Sequence, residues 1–281
     1  MFKHKILACM LRLLAKLPLW IVHLLGSGLG WVSYLSYKKY AILINQNLRS
    51  SKLTKGEVSF KKSLHLNIGE TGKAFLETFA IWFKDYSKLK NWYQGCTGWE
   101  HVESALAKGK GIIFLTPHLG CFEITSLYYG QFHPITVLFR PPRQSWLMPL
   151  ISQGRQRGKV SLAPANAQGV KLLLQALKRG EAIGILPDQA PHEGEGEWVP
   201  FFGRPAYTMT LASKLAEKSG AQVLMAFGER LEGGRGYHIH IKPVSDGGIK
   251  NPELLNQEIE KTIAQCPSQY MWIYDRYKVR N

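Results

Sequence analysis

The fold class that this sequence predicts is α/β: a central mixed sheet flanked by helices, preceded by an N-terminal helical membrane-associated segment. Three observations carry it. After Trp99, short apolar runs of strand length alternate with longer helical stretches. Before that point, residues 41–83 show apolar positions at helical intervals, and residues 17–37 contain no Asp, Glu, Lys or Arg. The chain has 281 residues, 45% of them hydrophobic, which is enough to build a large core and excludes disorder over most of its length.

The charge-free segment from Leu17 to Tyr37 is just long enough to span a bilayer. Lys3, Lys5, Arg12 and Lys16 precede it, and Lys38 and Lys39 follow. Pro18, His23, three glycines and three serines interrupt its apolarity, while Trp20, Trp31, Tyr34 and Tyr37 sit toward its ends. That pattern suits a helix that lies in or on a membrane, with a buried core helix as the alternative. A cleaved signal peptide fails, because no small-residue cleavage site closes the stretch. Gly26 and Gly30 form a single G-x-x-x-G, a weak helix-pairing signal.

Residues 1–40 are therefore expected to form the anchor or interfacial helix and residues 41–281 the second unit. Within that unit, 41–98 read as a helical preface and 99–281 as the α/β core. Thr54 and Glu57 have capping-box spacing, and Val58, Leu64, Ile68, Phe75 and Phe79 recur at helical intervals. In the core, strands are expected at Gly111–Thr116, Ile135–Phe139, Ala182–Leu186, Val223–Phe227 and Tyr237–Ile241. Helices are expected near Cys121–Tyr129, Trp146–Arg157, Gly169–Lys178 and Thr208–Ser219.

The balance of 36 Lys plus Arg against 20 Asp plus Glu gives a formal charge of +16, so polyanions are the natural partners. No RNA-binding, helix-turn-helix or zinc-finger pattern accompanies that charge, so nucleic acid is not the expected partner. The four cysteines are widely spaced and form no C-x-x-C pair, which suits a reducing compartment. No cofactor and no metal are expected. His192, Glu193, Glu195 and Glu197 lie in a glycine-spaced acidic loop that lacks a zincin histidine pair. His238 and His240 share a strand face without a third ligand. Cys121 has the place of a packing residue within an apolar helix face.

Open α/β sheets bind ligands beyond the carboxyl ends of their strands, and chemistry-bearing residues collect there in this sequence. The first strand runs into Pro117-His118-Leu119-Gly120-Cys121-Phe122-Glu123. His118 and Glu123 can meet only if His118 stands just before the helix, a bend that Pro117 and Gly120 permit. In that geometry Glu123 holds one imidazole nitrogen and the other takes a proton from a hydroxyl. A histidine that merely caps the helix is the alternative. Arg140 follows a strand and suits a phosphate, or is a surface arginine. Asp188, also at a strand end, either orients Arg140, binds a sugar hydroxyl or caps a turn. Arg155 and Arg157 add to a cationic surface or to a solvated helix face.

The segment from Pro117 to Glu123 resembles the H-x4-D/E motif of glycerolipid acyltransferases. Specifically, the chain resembles the late acyltransferases of lipid A biosynthesis, the lauroyl and myristoyl transferase family. Further segments occur in that family's order: Phe139-Arg140-Pro141, Gly154 to Gly158, and Leu186-Pro187-Asp188-Gln189. Val199 to Gly203 with Thr208 and Thr210, and finally Gln269 to Lys278, complete the series. Tyr274 and Tyr277 stand where the family often has His and Phe.

The resemblance covers essentially the whole chain. It implies transfer of a fatty acyl group from acyl carrier protein to a hydroxyl of a lipid A precursor at the cytoplasmic face of the inner membrane, an anionic surface. It implies His118 and Glu123 as catalytic residues, and Arg140, Asp188, Arg155 and Arg157 as substrate-binding ones. Backbone N–H groups near Leu119 and Gly120 are the expected oxyanion donors, and the aromatic-rich N-terminal half is the expected lining for the acyl chain. A related acyltransferase acting on another lipid is the nearest competing reading, followed by a non-catalytic membrane-surface protein.

Overall fold

The computed structural model describes residues 10–142, 144–245 and 248–278. Lys3, Lys5 and Cys9 lie outside the described residues. Helix α1 (Leu19–Ser36) is followed by α2 (Lys38–Ser50) and α3 (Gly56–Phe83). The core then runs β1 (Tyr93–Thr97), α4 (Trp99–Ala107), β2 (Ile112–Leu115), α5 (Phe122–Tyr129), β3 (Ile135–Phe139), α6 (Met148–Arg155) and β4 (Val160–Pro164). It continues with α7 (Ala167–Lys178), β5 (Ala182–Ile185), β6 (Gly196–Phe201), β7 (Arg204–Met209), α8 (Leu211–Ser219), β8 (Gln222–Arg230), β9 (Tyr237–Pro243) and α9 (Pro252–Ile263).

Seven strands form one sheet in the order β1-β9-β8-β2-β5-β3-β4. Every pair is parallel except β8 with β9, so the sheet is mixed. Side chains alternate across it with the strand period of two. Ile112 and Phe114 face one layer with Ile124 and Leu127 of α5, while Ile113 and Leu115 face the other with Leu173 of α7 and Leu215 of α8. Both faces of β2 are covered, which is why its four residues are all apolar and all buried.

Four strands depart from the expectations. β1 lies inside the stretch read as a helical preface, and β4 falls in a segment with no strand signal of its own. β6 and β7 form a separate hairpin, so the helix expected from Thr208 starts at Leu211 instead. The hairpin turns through Phe202 (φ 47°) and Gly203 (φ 73°), the left-handed pair that a two-residue turn requires. Thr54 and Glu57 form no capping box: Lys55 precedes α3 without a side-chain cap, and Glu57 pairs with Arg49 at 3.0 Å instead.

α1 is one-sided. Leu19, Val22 and His23 are buried, whereas Trp20, Leu24, Leu25, Leu29, Val32 and Leu35 form an exposed apolar face. Its Gly26 and Gly30 meet α3 of the same chain: a Cβ at Gly30 would lie 2.1 Å from the Ile68 carbonyl oxygen, and one at Gly72 would lie 2.0 Å from that of Gly26. The G-x-x-x-G thus brings two backbones of one molecule together.

Gly72→Leu should destabilise the chain by about 1–3 kcal/mol through overpacking. Gly28→Ala, where an added Cβ meets nothing within 4 Å, should be neutral or stabilising by up to about 1 kcal/mol. Chemical unfolding in detergent measures both. Equal effects at the two positions would contradict the packing.

Candidate functional site

β2 and β5 are adjacent and parallel, with Leu115 opposite Ile185. Each strand ends in a tripeptide centred on proline, Thr116-Pro117-His118 after β2 and Leu186-Pro187-Asp188 after β5. Proline has no N–H to extend a ladder, so the two chains leave the sheet at the same level. Three residues beyond each strand end, the side chains of His118 and Asp188 meet. His118 Nδ1 lies 2.8 Å from Asp188 Oδ1, and the His118 backbone N–H donates to Oδ2 at 2.9 Å.

A carboxylate can only accept, so Nδ1 carries the imidazole proton and Nε2 is the basic nitrogen. Gln189 donates its amide to Nε2 at 3.2 Å. Asp188 is 2% exposed. Burial pushes its carboxyl up, but His118, as charge and as donor, outweighs burial and leaves it below its ordinary 3.8. A depressed folded value stabilises the fold above the unfolded carboxyl's pKa. That stability is lost as pH falls below about 4.

The expected partnership of His118 with Glu123 is therefore corrected. His118 does stand just before α5 and Glu123 does lie in its first turn, but the Glu123 carboxylate faces Arg155. Arg155 Nε donates to Oε2 at 2.9 Å and Nη2 donates to Oε1, while Trp82 Nε1 donates to Oε2 at 3.1 Å. Arg155 is accordingly no member of an open cationic face, its guanidinium being committed to Glu123. Arg157 is committed too: it donates to the carbonyls of Ile81, Lys84 and Gly154, which fastens the end of α6 to that of α3.

The expected oxyanion donors are also occupied. Leu119 N–H donates to the Pro117 carbonyl at 2.7 Å and Gly120 N–H to that of Gln269 at 3.0 Å. Gly120 has φ 60°, and a Cβ there would lie 2.1 Å from the Gly228 carbonyl oxygen, so only glycine fits. Cys121 is buried and packs in the core, as expected.

A cavity of about 650 Å³ opens beside this pair. Phe114, Tyr129, Val137, Ala226, Ile239 and Ile241 give it an apolar wall, drawn from four strands and α5. His118, Glu123 and Arg155 line its polar part. Phe114, Phe122, Tyr128 and Tyr129 of the N-terminal half line it, as expected, although no described residue before Phe114 does. The exposed side chains of Arg140 and Lys214 also border it and put two cations at its open edge. Asp188 pairs with His118 rather than with Arg140. Lys214 carried no signal in the sequence, where it reads as one solvated helix lysine among many.

Among the described residues no group of three or more His, Cys, Asp or Glu side chains is placed to hold a metal. Tyr274, which stands where the resembled family often has His, accepts a hydrogen bond from the Ala190 N–H at 3.0 Å and so supports the loop that carries Asp188.

The chain matches the family model of the bacterial lipid A biosynthesis acyltransferases over residues 3–279. It is 28% identical to the lipid A biosynthesis lauroyltransferase of Escherichia coli K12, covering 96% of this chain and 89% of the relative. The palmitoleoyltransferase of the same organism is 26% identical over the same shares. Its myristoyltransferase is 25% identical over 65% of this chain and 58% of its own length.

Arg155→Met should destabilise the chain by about 3–5 kcal/mol, because it leaves the Glu123 carboxylate, 4% exposed, without its cation. The double variant Arg155→Met with Glu123→Met should recover most of that loss. Thermal unfolding of the three proteins reads the difference, and a double variant no more stable than the single would contradict the pairing.

Proposed function

Because the chain belongs to the bacterial lipid A biosynthesis acyltransferase family, we propose that the His118–Asp188 pair and the adjoining cavity transfer an acyl chain from acyl carrier protein to a hydroxyl of a lipid A precursor. The observation that carries this reading is an imidazole with an unprotonated nitrogen, oriented by a buried carboxylate, at the polar end of an apolar cavity. His118 Nε2 takes the proton of the acceptor hydroxyl, replacing the Gln189 contact. The oxygen attacks the thioester carbonyl, and the carbon–sulfur bond breaks. The imidazolium returns its proton to the leaving thiolate. Asp188 holds the tautomer and stabilises the imidazolium, as a buried carboxylate does in hydrolase triads.

The developing oxyanion requires donors that the Leu119 and Gly120 amides no longer offer. Arg155 lines the same cavity with Nε and Nη2 on Glu123, and its Nη1 has no hydrogen-bond partner among the described residues. Glu123 thus serves catalysis by holding Arg155, whose cation faces the carbonyl as charge develops. Arg140 and Lys214 suit the anionic parts of donor and acceptor. The exposed apolar face of α1, flanked by Arg12, Lys16, Lys38 and Lys39, supports docking on the anionic cytoplasmic face of the inner membrane.

The test is acyl transfer by purified full-length protein, with acyl carrier protein thioester as donor and a lipid A precursor with a free hydroxyl as acceptor, read by mass spectrometry. His118→Ala should lower kcat by about 10²–10⁴-fold, and Asp188→Asn by about 10²-fold or more. A folded His118→Ala protein with parent activity would overturn the reading.

A further inference from the structure

A second ionic cluster lies behind the loop that carries His118, away from the cavity. Arg230 ends β8 with its side chain 2% exposed. Its Nε donates to Glu77 Oε1 at 2.8 Å, its Nη1 to Glu70 Oε2 at 3.0 Å, and its Nη2 to the Gly120 carbonyl at 2.6 Å. Glu77 is 1% exposed and also meets His23 Nε2 of α1 at 3.1 Å and the Tyr237 hydroxyl at 2.9 Å. Burial would raise the Glu77 carboxyl, but Arg230 and His23 hold it down at about 2.

The backbone of Arg230 reaches the same loop by another route. Its N–H donates to Gln269 Oε1 and its carbonyl accepts from Gln269 Nε2, both at 2.9 Å, while the Gln269 carbonyl accepts the Gly120 N–H. Both backbone polar groups of Gly120 are therefore tied, directly or through Gln269, to one arginine. Gly120 is two residues from His118.

We propose that Arg230 is a positioning residue for acyl transfer: it clamps the Gly120 carbonyl and so holds His118 against Asp188 and the cavity. Stability alone does not require the cluster, since buried ion pairs can often be replaced by apolar residues at no loss. Geometry does, because a fork of N–H donors can address two carboxylates and a carbonyl together, which an ammonium on a flexible stem cannot do with the same directionality. The proposal rests on the acyl-transfer reading above, in which a displacement of His118 by about 1 Å would cost on the order of 10²-fold in rate.

Arg230→Lys keeps a cation opposite Glu77 and removes the fork. In full-length protein it should lower kcat by about 10–100-fold, with KM for donor and acceptor changed less than about twofold, as expected when binding is untouched. Cys121, next to Gly120 and 1% exposed, supplies a readout independent of activity. In a Cys9→Ser, Cys96→Ser, Cys266→Ser background, maleimide should label Cys121 about tenfold faster once the clamp is gone, by local opening of the loop.

Where Arg230→Lys fails to fold, Arg230→Met with Glu77→Met removes both buried charges and undergoes the same measurements. Parent-level kcat in a folded variant, or a loss confined to KM, would overturn the proposal. Unchanged labelling would overturn it as well. Absence of transfer by the parent with any thioester would instead overturn the acyl-transfer reading, and the Cys121 labelling would still decide the clamp.

Discussion

The parallel pairing of β2 with β5 is the constraint on which the site depends. With Leu115 opposite Ile185, two prolines end the strands at one level and deliver His118 and Asp188 to each other from segments 70 residues apart. A shift of one residue in that register would turn every side chain of β2 to the opposite face of the sheet. It would also separate the imidazole from its carboxylate. The burial of β2 on both faces fixes the register, so the same hydrophobic packing that holds the core also sets the tautomer of His118.

Around that pair the protein sorts its buried charges into separate partnerships. Asp188 meets His118, Glu123 meets Arg155, and Glu77 meets Arg230 with His23. Each pairing gives a buried carboxylate a hydrogen-bonded partner, which offsets the cost of burying it. The first two border the cavity and the third lies behind the loop. α1 contributes to the third through His23 while its outer apolar face stays exposed, so one helix both meets solvent or lipid and reaches the support of the His118 loop. That dual position is possible because Gly26, Gly30 and Gly72 bring α1 and α3 into backbone contact.

The elements legible in the sequence were those with strong local signals. β2, β3 and β5 are short apolar runs between turn residues, and their limits fall within one residue of those expected. β1, β4 and the β6–β7 hairpin were not legible, because their burial comes from neighbours distant in sequence. Half-exposed strands such as Tyr93–Thr97 carry no continuous apolar run. The site was half legible for the same reason. His118 announces itself at a strand end, and Glu123, five residues on, is the nearest acid in sequence, which made it the natural partner. The true partner follows from the sheet order, with β5 beside β2. A signal was present nonetheless, since Thr-Pro-His and Leu-Pro-Asp each follow an apolar strand of four residues. Arg155 was legible as a cation but not as the counter-ion of Glu123, which required α5 and α6 to be placed in space.

The most direct test of this account is the ¹⁵N resonance pair of the neutral His118 ring, read at the high-pH plateau of its titration in selectively labelled protein. With Asp188 as partner, Nδ1 should carry the proton and Nε2 should show the shift of an unprotonated nitrogen. That pattern should persist in Glu123→Gln and collapse toward a mixture of tautomers in Asp188→Asn. A proton on Nε2 in the parent, or a pattern lost in Glu123→Gln and kept in Asp188→Asn, would contradict it.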